Sequence, residues 1–368
     1  MTNSSEPLKV LHFNVMKHLS RGIKNQLISE QESIPSLPSH INWTTKVFSQ
    51  DEPNLDFMVK VETKKNTIIP KNISNYINLK QTAYKWLVQE HDKYDVVLIR
   101  YFPGDPFLFN AIKNIKNAFT IHHTIEGEEV KTQEGIIGLL HASLESFIAP
   151  YVLRRSQGVI GVTNQIQKYE QKRSGLNIPG FTLPNGINTK TALLIEDERN
   201  TEIRLAFVAA AFAPWHGLDI VLNEFKKNNI MIHLDVIGSV PNALKYEDPR
   251  IKYHGVLDKN HLTQVLQRTD IGLTSFGLFR NKMTEGSTLK LREYLAFGIP
   301  VYGDSPDSAL PSEFPYYLVD TFSLEKVKSA AIHLKKVRRD KIRKESLQYI
   351  EKSELMSNLC DWLVTYRQ

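Results

Sequence analysis

The chain is short of cysteine and of uninterrupted apolar sequence, and each shortage limits what it can be. A single cysteine, Cys360, stands among 368 residues. No disulfide can close within the chain, no Cys/His set has zinc spacing, and a reducing compartment suits it. Cys360 reads as a packing residue near the C-terminus, not as a nucleophile. No run of 18 apolar residues offers a bilayer span, and the polar start MTNSSEPLKV leads straight into a strand without the apolar stretch of a signal peptide. The expectation is a cytoplasmic protein, soluble or peripheral on a membrane. A Walker loop, internal repeats and low-complexity tracts are also missing. Basic residues are scattered and not interleaved with aromatics, which argues against a single-stranded nucleic-acid platform.

What is present is alternation. With 41% hydrophobic residues, a chain of 368 residues is too long for one ordinary core and suits two α/β domains. Leu8 to Val15 reads as a strand, followed by a basic loop carrying Lys17, His18, Arg21 and Lys24 and by a helix entered at Gly22. Gly22 would let the backbone approach a phosphate, or it is simply a turn residue. Irregular strands fill 41 to 70. From there a helix over 75–92, a strand over 95–101, a helix over 106–117, a strand over 118–123, a long apolar helix over 134–156 and a strand over 158–163 alternate. Repeated βα units predict a doubly wound parallel sheet that binds ligands beyond the C-terminal ends of its strands. His122 and His123 stand at such an end, before Glu126, and which of the two faces inward is open. The helix 134–156 reads as a core helix of the sandwich; the other reading lets its apolar edge dip into an anionic leaflet, with His141 and Glu145 interrupting any span. The Gly- and Pro-rich stretch 174–188 marks an interdomain linker.

The densest pattern is Thr284 to Asp304, TEGSTLKLREYLAFGIPVYGD. Glu285 precedes a turn of small polar residues, Leu289 to Phe297 have helical spacing, Gly298 stops the helix, and Ile299 to Tyr302 form a short buried strand. Glu293 then lies two turns inside the helix. The N–H groups of Ser287, Thr288 and Leu289 would be open donors at the positive helix end, suited to a phosphate. Two carboxylates beside a phosphate point to a nucleotide-sugar, since each can accept hydrogen bonds from vicinal hydroxyls.

This stretch resembles the Glu-x7-Glu motif of family-4 retaining glycosyltransferases of the GT-B fold, and LPNGIN at 183–188 resembles the opening of their second domain. The likeness extends over about 170 to 305 and is only architectural before that. It implies an α/β architecture of two facing Rossmann-like domains with a cleft between them: an acceptor-side domain over 1–176, a nucleotide-sugar domain over 177–345, and a C-terminal helix, 346–368, returning to brace the first. By resemblance Glu285 faces the donor sugar and Glu293 the ribose, with Glu285 and His122 in catalytic places. Gly22, His216, Ser287, Thr288, Leu289, Lys290 and Glu293 would hold the donor. The sequence departs from the family where an Arg and a Lys usually meet the diphosphate: Ala209, Ala210 and Ala211 stand near the first place and His216 near the second. Lys290 is the nearest replacement cation.

The implied activity is transfer of a hexose, with retention, from a UDP- or GDP-linked sugar to a hydroxyl of a glycan acceptor of a bacterial surface-polysaccharide pathway, O-antigen or capsule. Neither a cofactor nor a metal is expected, because Asp-x-Asp, the manganese motif of the other large transferase fold, is absent. A net charge of +6 and a pI near 9.0 favour a polyanionic neighbour. A lipid-linked acceptor and an anionic membrane surface are the expected partners, and nucleic acid is not. The alternatives are an epimerase or phosphorylase on the same fold, or a catalytically silent sugar-binding protein.

Overall fold

Apolar strands separated by helices build two sheets in the computed structural model, which describes residues 6–52, 54–63, 70–132, 135–192 and 194–366. The first sheet contains β1 (Leu8–Val15), β2 (Ile41–Ser49), β3 (Met58–Lys60), β4 (Val96–Arg100), β5 (Ala118–His122), β6 (Gly158–Gly161) and β7 (Gly180–Thr182). The second contains β8 (Arg204–Ala211), β9 (His233–Ser239), β10 (Ile251–Gly255), β11 (Ile271–Leu273), β12 (Val301–Gly303) and β13 (Tyr317–Val319). Every strand pair is parallel. Parallel strands need helical crossovers, and these cover both faces of each sheet. The helices are α1 (Arg21–Ser33), α2 (Lys71–Glu90), α3 (Pro106–Ala111), α4 (Glu126–Glu129), α5 (Gly135–Arg155), α6 (Asn164–Ser174), α7 (Leu218–Lys227), α8 (Lys259–Gln267), α9 (Leu289–Ala296), α10 (Leu324–Leu334), α11 (Arg339–Ile350) and α12 (Lys352–Val364).

The strand order in the first sheet is β3-β2-β1-β4-β5-β6-β7 and in the second β10-β9-β8-β11-β12-β13. Each order runs outward in one direction from its first strand and then resumes on the other side. The reversal falls between β1 and β4 in one sheet and between β8 and β11 in the other. In open α/β sheets ligands bind beyond the C-terminal strand ends at that reversal.

The chain divides into two units, the first comprising 1–183 with 355–368 and the second 184–354. The first boundary, expected at 176/177, lies at 183/184 because β7 pairs with β6 and completes the first sheet. The C-terminal expectation also shifts. Helix α11 stays with the second unit, where Ile342 and Ile350 pack with Leu291 and Leu295 of α9. From Leu355 onward α12 belongs to the first unit, where Leu359, Cys360 and Leu363 are fully buried against Val10, Leu98 and Phe119.

On the other face of the first sheet α2, α3 and the C-terminal half of α5 bury Leu79, Leu87, Leu108, Ile148 and Val152. The N-terminal half of α5 departs from the core reading. Ile136, Ile137, Leu139, Leu140, Leu144 and Phe147 are 50% to 82% exposed. By length and composition α5 could cross a membrane, yet Glu145 and the residues after it are bound into the first unit. Tyr101 Oη and the Gly104 N–H donate to the Glu145 carboxylate, and Arg173 pairs with it.

Candidate functional site

In the second unit the loop leaving β11 runs into α9 at the strand reversal. Thr288 stands at the N-cap in an extended conformation and makes no side-chain cap, so the helix offers its first N–H groups without an internal acceptor. Gly298 ends the helix at φ +73°. A Cβ there would lie 2.3 Å from the Arg339 carbonyl oxygen, so both the backbone conformation and the space require glycine.

The loop before α9 is held by a buried ion pair that the sequence analysis misses. Arg292, fully buried, makes a two-pronged bond to Asp307 and donates to the Asn185 carbonyl oxygen at 2.8 Å. Asn185 in turn donates through its N–H to Ser287 Oγ (2.8 Å) and through its side-chain amide to the Ser287 carbonyl (2.7 Å). Ser287 Oγ is therefore occupied as an acceptor, and its O–H and its backbone N–H are the donors left for the expected phosphate. Gly286 pairs with Asp307, and the Gly286 N–H donates to the Pro306 carbonyl at 2.8 Å. The same loop brings Ser308 to Glu285, whose Oε2 accepts from Ser308 Oγ at 2.8 Å. The signal for this arrangement was Arg292 itself, an ionised residue within the apolar helical spacing.

Across the reversal, the loop after β8 carries His216. Gly217 (φ +72°) lets it press against the β11 loop, where a Cβ would meet Phe276 at 2.7 Å, and the Phe276 N–H donates to the His216 carbonyl. His216 Nδ1 accepts from the Ala213 N–H at 2.9 Å. That acceptance fixes the neutral tautomer and leaves Nε2 as a donor. Burial, with the Lys290 charge beside it, pushes the His216 pKa down to about 3.

Lys290 lies in the first turn of α9. Its Nζ is buried, has no hydrogen-bond partner among the described residues and sits 5.0 Å from the centre of the Phe207 ring. Burial lowers its pKa to about 7, against the opposing pull of Glu293. Glu293 opens to solvent on one side but is crowded by protein, and the crowding raises its carboxyl pKa while Lys290 pulls it back. The structure thus gathers His216, Lys290 and Glu293 in one electrostatic group beside the uncapped helix end, with Glu285 four residues before α9.

The expected catalytic place of His122 needs correction. Its side chain is fully buried, because alternation along β5 turns it to the same side as Ala118, beneath α5. Nδ1 faces Glu126 at 3.1 Å and Glu170 at 4.0 Å, and Tyr101 stacks on the ring at 4.7 Å. Burial alone would lower its pKa; the two carboxylates outweigh burial and raise it. It is a structural member of a charged cluster, and the half-buried His123 turns to the opposite face. His122, Glu126 and Glu170 could surround a cation, but Arg173 already occupies both Glu170 oxygens at 2.9 and 3.0 Å. Gly22 lies in the first turn of α1, with open space where a Cβ would be, so steric need does not explain its presence.

Two parallel-sheet α/β units in this order define the GT-B fold. No protein-family model matches the chain, and no curated protein does. Among solved structures it is similar to the apo form of the lipopolysaccharide outer core galactosyltransferase WaaB, at 12% identity, 97% and 99% coverage of the two chains and a TM-score of 0.66. It is also similar to HepE of Anabaena in complex with UDP and glucose (11% identity, 97% and 100% coverage, TM-score 0.61). A third is the sucrose-phosphate synthase of Thermosynechococcus elongatus (12% identity, 97% and 99% coverage, TM-score 0.61).

Proposed function

We propose that the chain is a retaining glycosyltransferase that moves a hexose from a UDP- or GDP-linked sugar to a glycan hydroxyl. The observation that carries this reading is the buried Lys290 Nζ, without a hydrogen-bond partner among the described residues, at the uncapped start of α9 between Glu285 and Glu293. A buried cation without an acceptor is costly, and a diphosphate supplies the acceptor. Lys290, the N–H groups of Ser287, Thr288 and Leu289, and the Nε2–H of His216 would bind the diphosphate; Glu293 would accept from the ribose hydroxyls and Glu285 from the hexose. The fold relatives that carry UDP support the donor class.

In the reaction the anomeric carbon loses its bond to the diphosphate oxygen and gains one to the acceptor oxygen on the same face of the ring. The acceptor's proton passes to the departing phosphate. The protein's part is to hold the reactants together and to stabilise the charge growing on the diphosphate, where a single donor is worth about 3 kcal/mol of barrier. Activity that survives EDTA is part of the proposal, since the positive charge at the diphosphate comes from Lys290 and the helix end.

The acceptor proposed is a lipid-linked glycan of a surface polysaccharide, reached at the inner face of the plasma membrane. The exposed apolar row of α5 supports it, because the exposed charges of that helix, Arg154 and Arg155, are both cationic. Phe109 of α3 packs on Phe147 and Tyr151 of that row and also lines a groove of about 830 Å³ between α2 and α3. Aromatic and basic residues around an apolar strip suit an anionic bilayer interface. The test of the donor site is a thermal-shift series with UDP, GDP and ADP. One of them at 100 times its dissociation constant should add about 2.7 kcal/mol of stability, and no shift with any of the three rejects the reading. Turnover of UDP-sugar without an acceptor would favour an epimerase or phosphorylase.

A further inference from the structure

We infer that Arg100, positioned by Asn14, forms an anion-binding subsite of the first unit for a phosphate or carboxylate group. The inference rests on the glycosyl-transfer reading only in treating the ligand as a substrate.

The place follows from topology. β1 pairs with β4 through Phe13 opposite Ile99, so the next step along the strands sets Asn14 beside Arg100. Both stand at C-terminal strand ends, on the two sides of the strand reversal, where doubly wound sheets bind their ligands. Alternation puts them on one face. Val10 and Val96 start that face in the apolar core shared with α12, and His12, Asn14 and Arg100 follow on it. Polar residues thus replace apolar ones where the sheet reaches its ligand-binding end.

Arg100 is distinguished by what it does not bind. The well-buried arginines elsewhere are tied to protein acceptors: Arg292 to Asp307, Arg250 to Asp248 and three carbonyls, Arg339 to three carbonyls, and Arg173 to Glu145 and Glu170, whereas Arg100 is half-buried. Arg100 makes no hydrogen bond or ion pair among the described residues. Beside it, fully buried Asn14 has neither amide atom satisfied. The two nearest carboxylates are committed elsewhere. Glu30 accepts from His12 (2.9 Å), Trp43 (3.0 Å) and Thr45 (2.5 Å), and Glu126 from His122 (3.1 Å) and the His123 N–H (3.2 Å). Burial lowers the Arg100 pKa only to about 10, so the guanidinium is charged at neutral pH. A planar fork of donors without an acceptor matches a phosphate or carboxylate. Helix α1, which follows β1 and returns over it to bring Glu30 to His12, has no acidic residue in its first turn to oppose an anion.

The test uses the full chain and two probes, UDP and inorganic phosphate. Arg100→Met keeps the stem and removes the charge; Asn14→Leu keeps the volume and removes the unsatisfied amide. In calorimetry, phosphate titrated into UDP-saturated protein should bind roughly tenfold more weakly to Arg100→Met and less severely so to Asn14→Leu, with partial rescue in Arg100→Lys. Melting temperatures should be unchanged or raised, since Asn14→Leu removes a buried amide without a partner and Arg100→Met removes a half-buried charge to which no protein group bonds. If UDP affinity holds while phosphate affinity falls, the anion belongs to the acceptor. If UDP affinity itself falls tenfold, the substitution acts on the donor site and the inference fails. Unchanged affinity for both probes in Arg100→Met, no phosphate binding to the unsubstituted protein in either state, or a melting temperature several degrees lower in Arg100→Met would overturn the inference; the last would make Arg100 a structural cation. A chain that never binds UDP would sink the glycosyl-transfer reading independently of these outcomes.

Discussion

In the proposed donor site the positive charge rests on one side chain, Lys290. Its pKa near 7 is far below the ordinary lysine value, because burial makes the charged form costly. The sign follows directly. At pH below 7 the lysine is charged in the folded and unfolded chain alike and its burial cost is fully present; the cost fades as pH rises from 7 towards 10.5. A bound diphosphate reverses the balance by favouring the charged form. UDP binding at pH 8 should therefore take up protons, seen as a dependence of the calorimetric enthalpy on the buffer's ionisation heat. Binding at pH 6 should take up almost none. Affinity should fall by up to about tenfold per pH unit above 7, and Lys290→Met should remove both effects. His216 does not interfere, because its pKa near 3 keeps it neutral throughout. A buffer-independent enthalpy at pH 8 would show that Lys290 does not meet the diphosphate.

Helix α5 is the element in which composition and packing part company. Its exposed stripe repeats at helical spacing through Ile136, Leu140, Leu144 and Phe147, and Arg155 stacks on Tyr151 beyond it at 3.7 Å. Flotation with vesicles rich in anionic lipid should carry the protein at low salt, and Leu140→Glu with Phe147→Glu should weaken that binding by tenfold or more, each buried side chain contributing about 1.5–3 kcal/mol. UDP binding should not change. A dimer in sedimentation that dissociates in the double variant would assign the stripe to self-association. The sequence could not separate these possibilities, because apolar periodicity identifies a helix face without saying what covers it. Where local chemistry is self-contained the sequence was more telling: Gly298 marked the end of α9, with Glu285 ahead of the helix and Glu293 within it. It was silent where partners are distant in the chain, as with Arg292 and Asp307, Glu285 and Ser308, or Asn14 and Arg100. Strand alternation alone left His122 and His123 equivalent, since choosing between them requires knowing which sheet face α5 covers.

At the scale of the whole molecule, the GT-B fold was legible from the βα rhythm and from one stretch of 21 residues, while the limits of the units were not. The reason is that β7 and α12 are joined to the first unit by contacts far apart in the chain. Leu359, Cys360 and Leu363 fill a core otherwise made from residues before 184. The order of synthesis then need not be the order of folding. The first unit is begun by the earliest strand, but one wall of its core is translated only after the whole second unit, so the second can close while the first is still waiting. The single thiol would report such a delay. Cys360 is fully buried, and its pKa is pushed up to about 12 by burial with Asp361 nearby, so a thiol reagent should label it only when α12 has come away. During refolding from denaturant, protection of Cys360 should follow, and not precede, the protease resistance of 184–354; simultaneous protection would mean that the interrupted unit does not wait for its last helix.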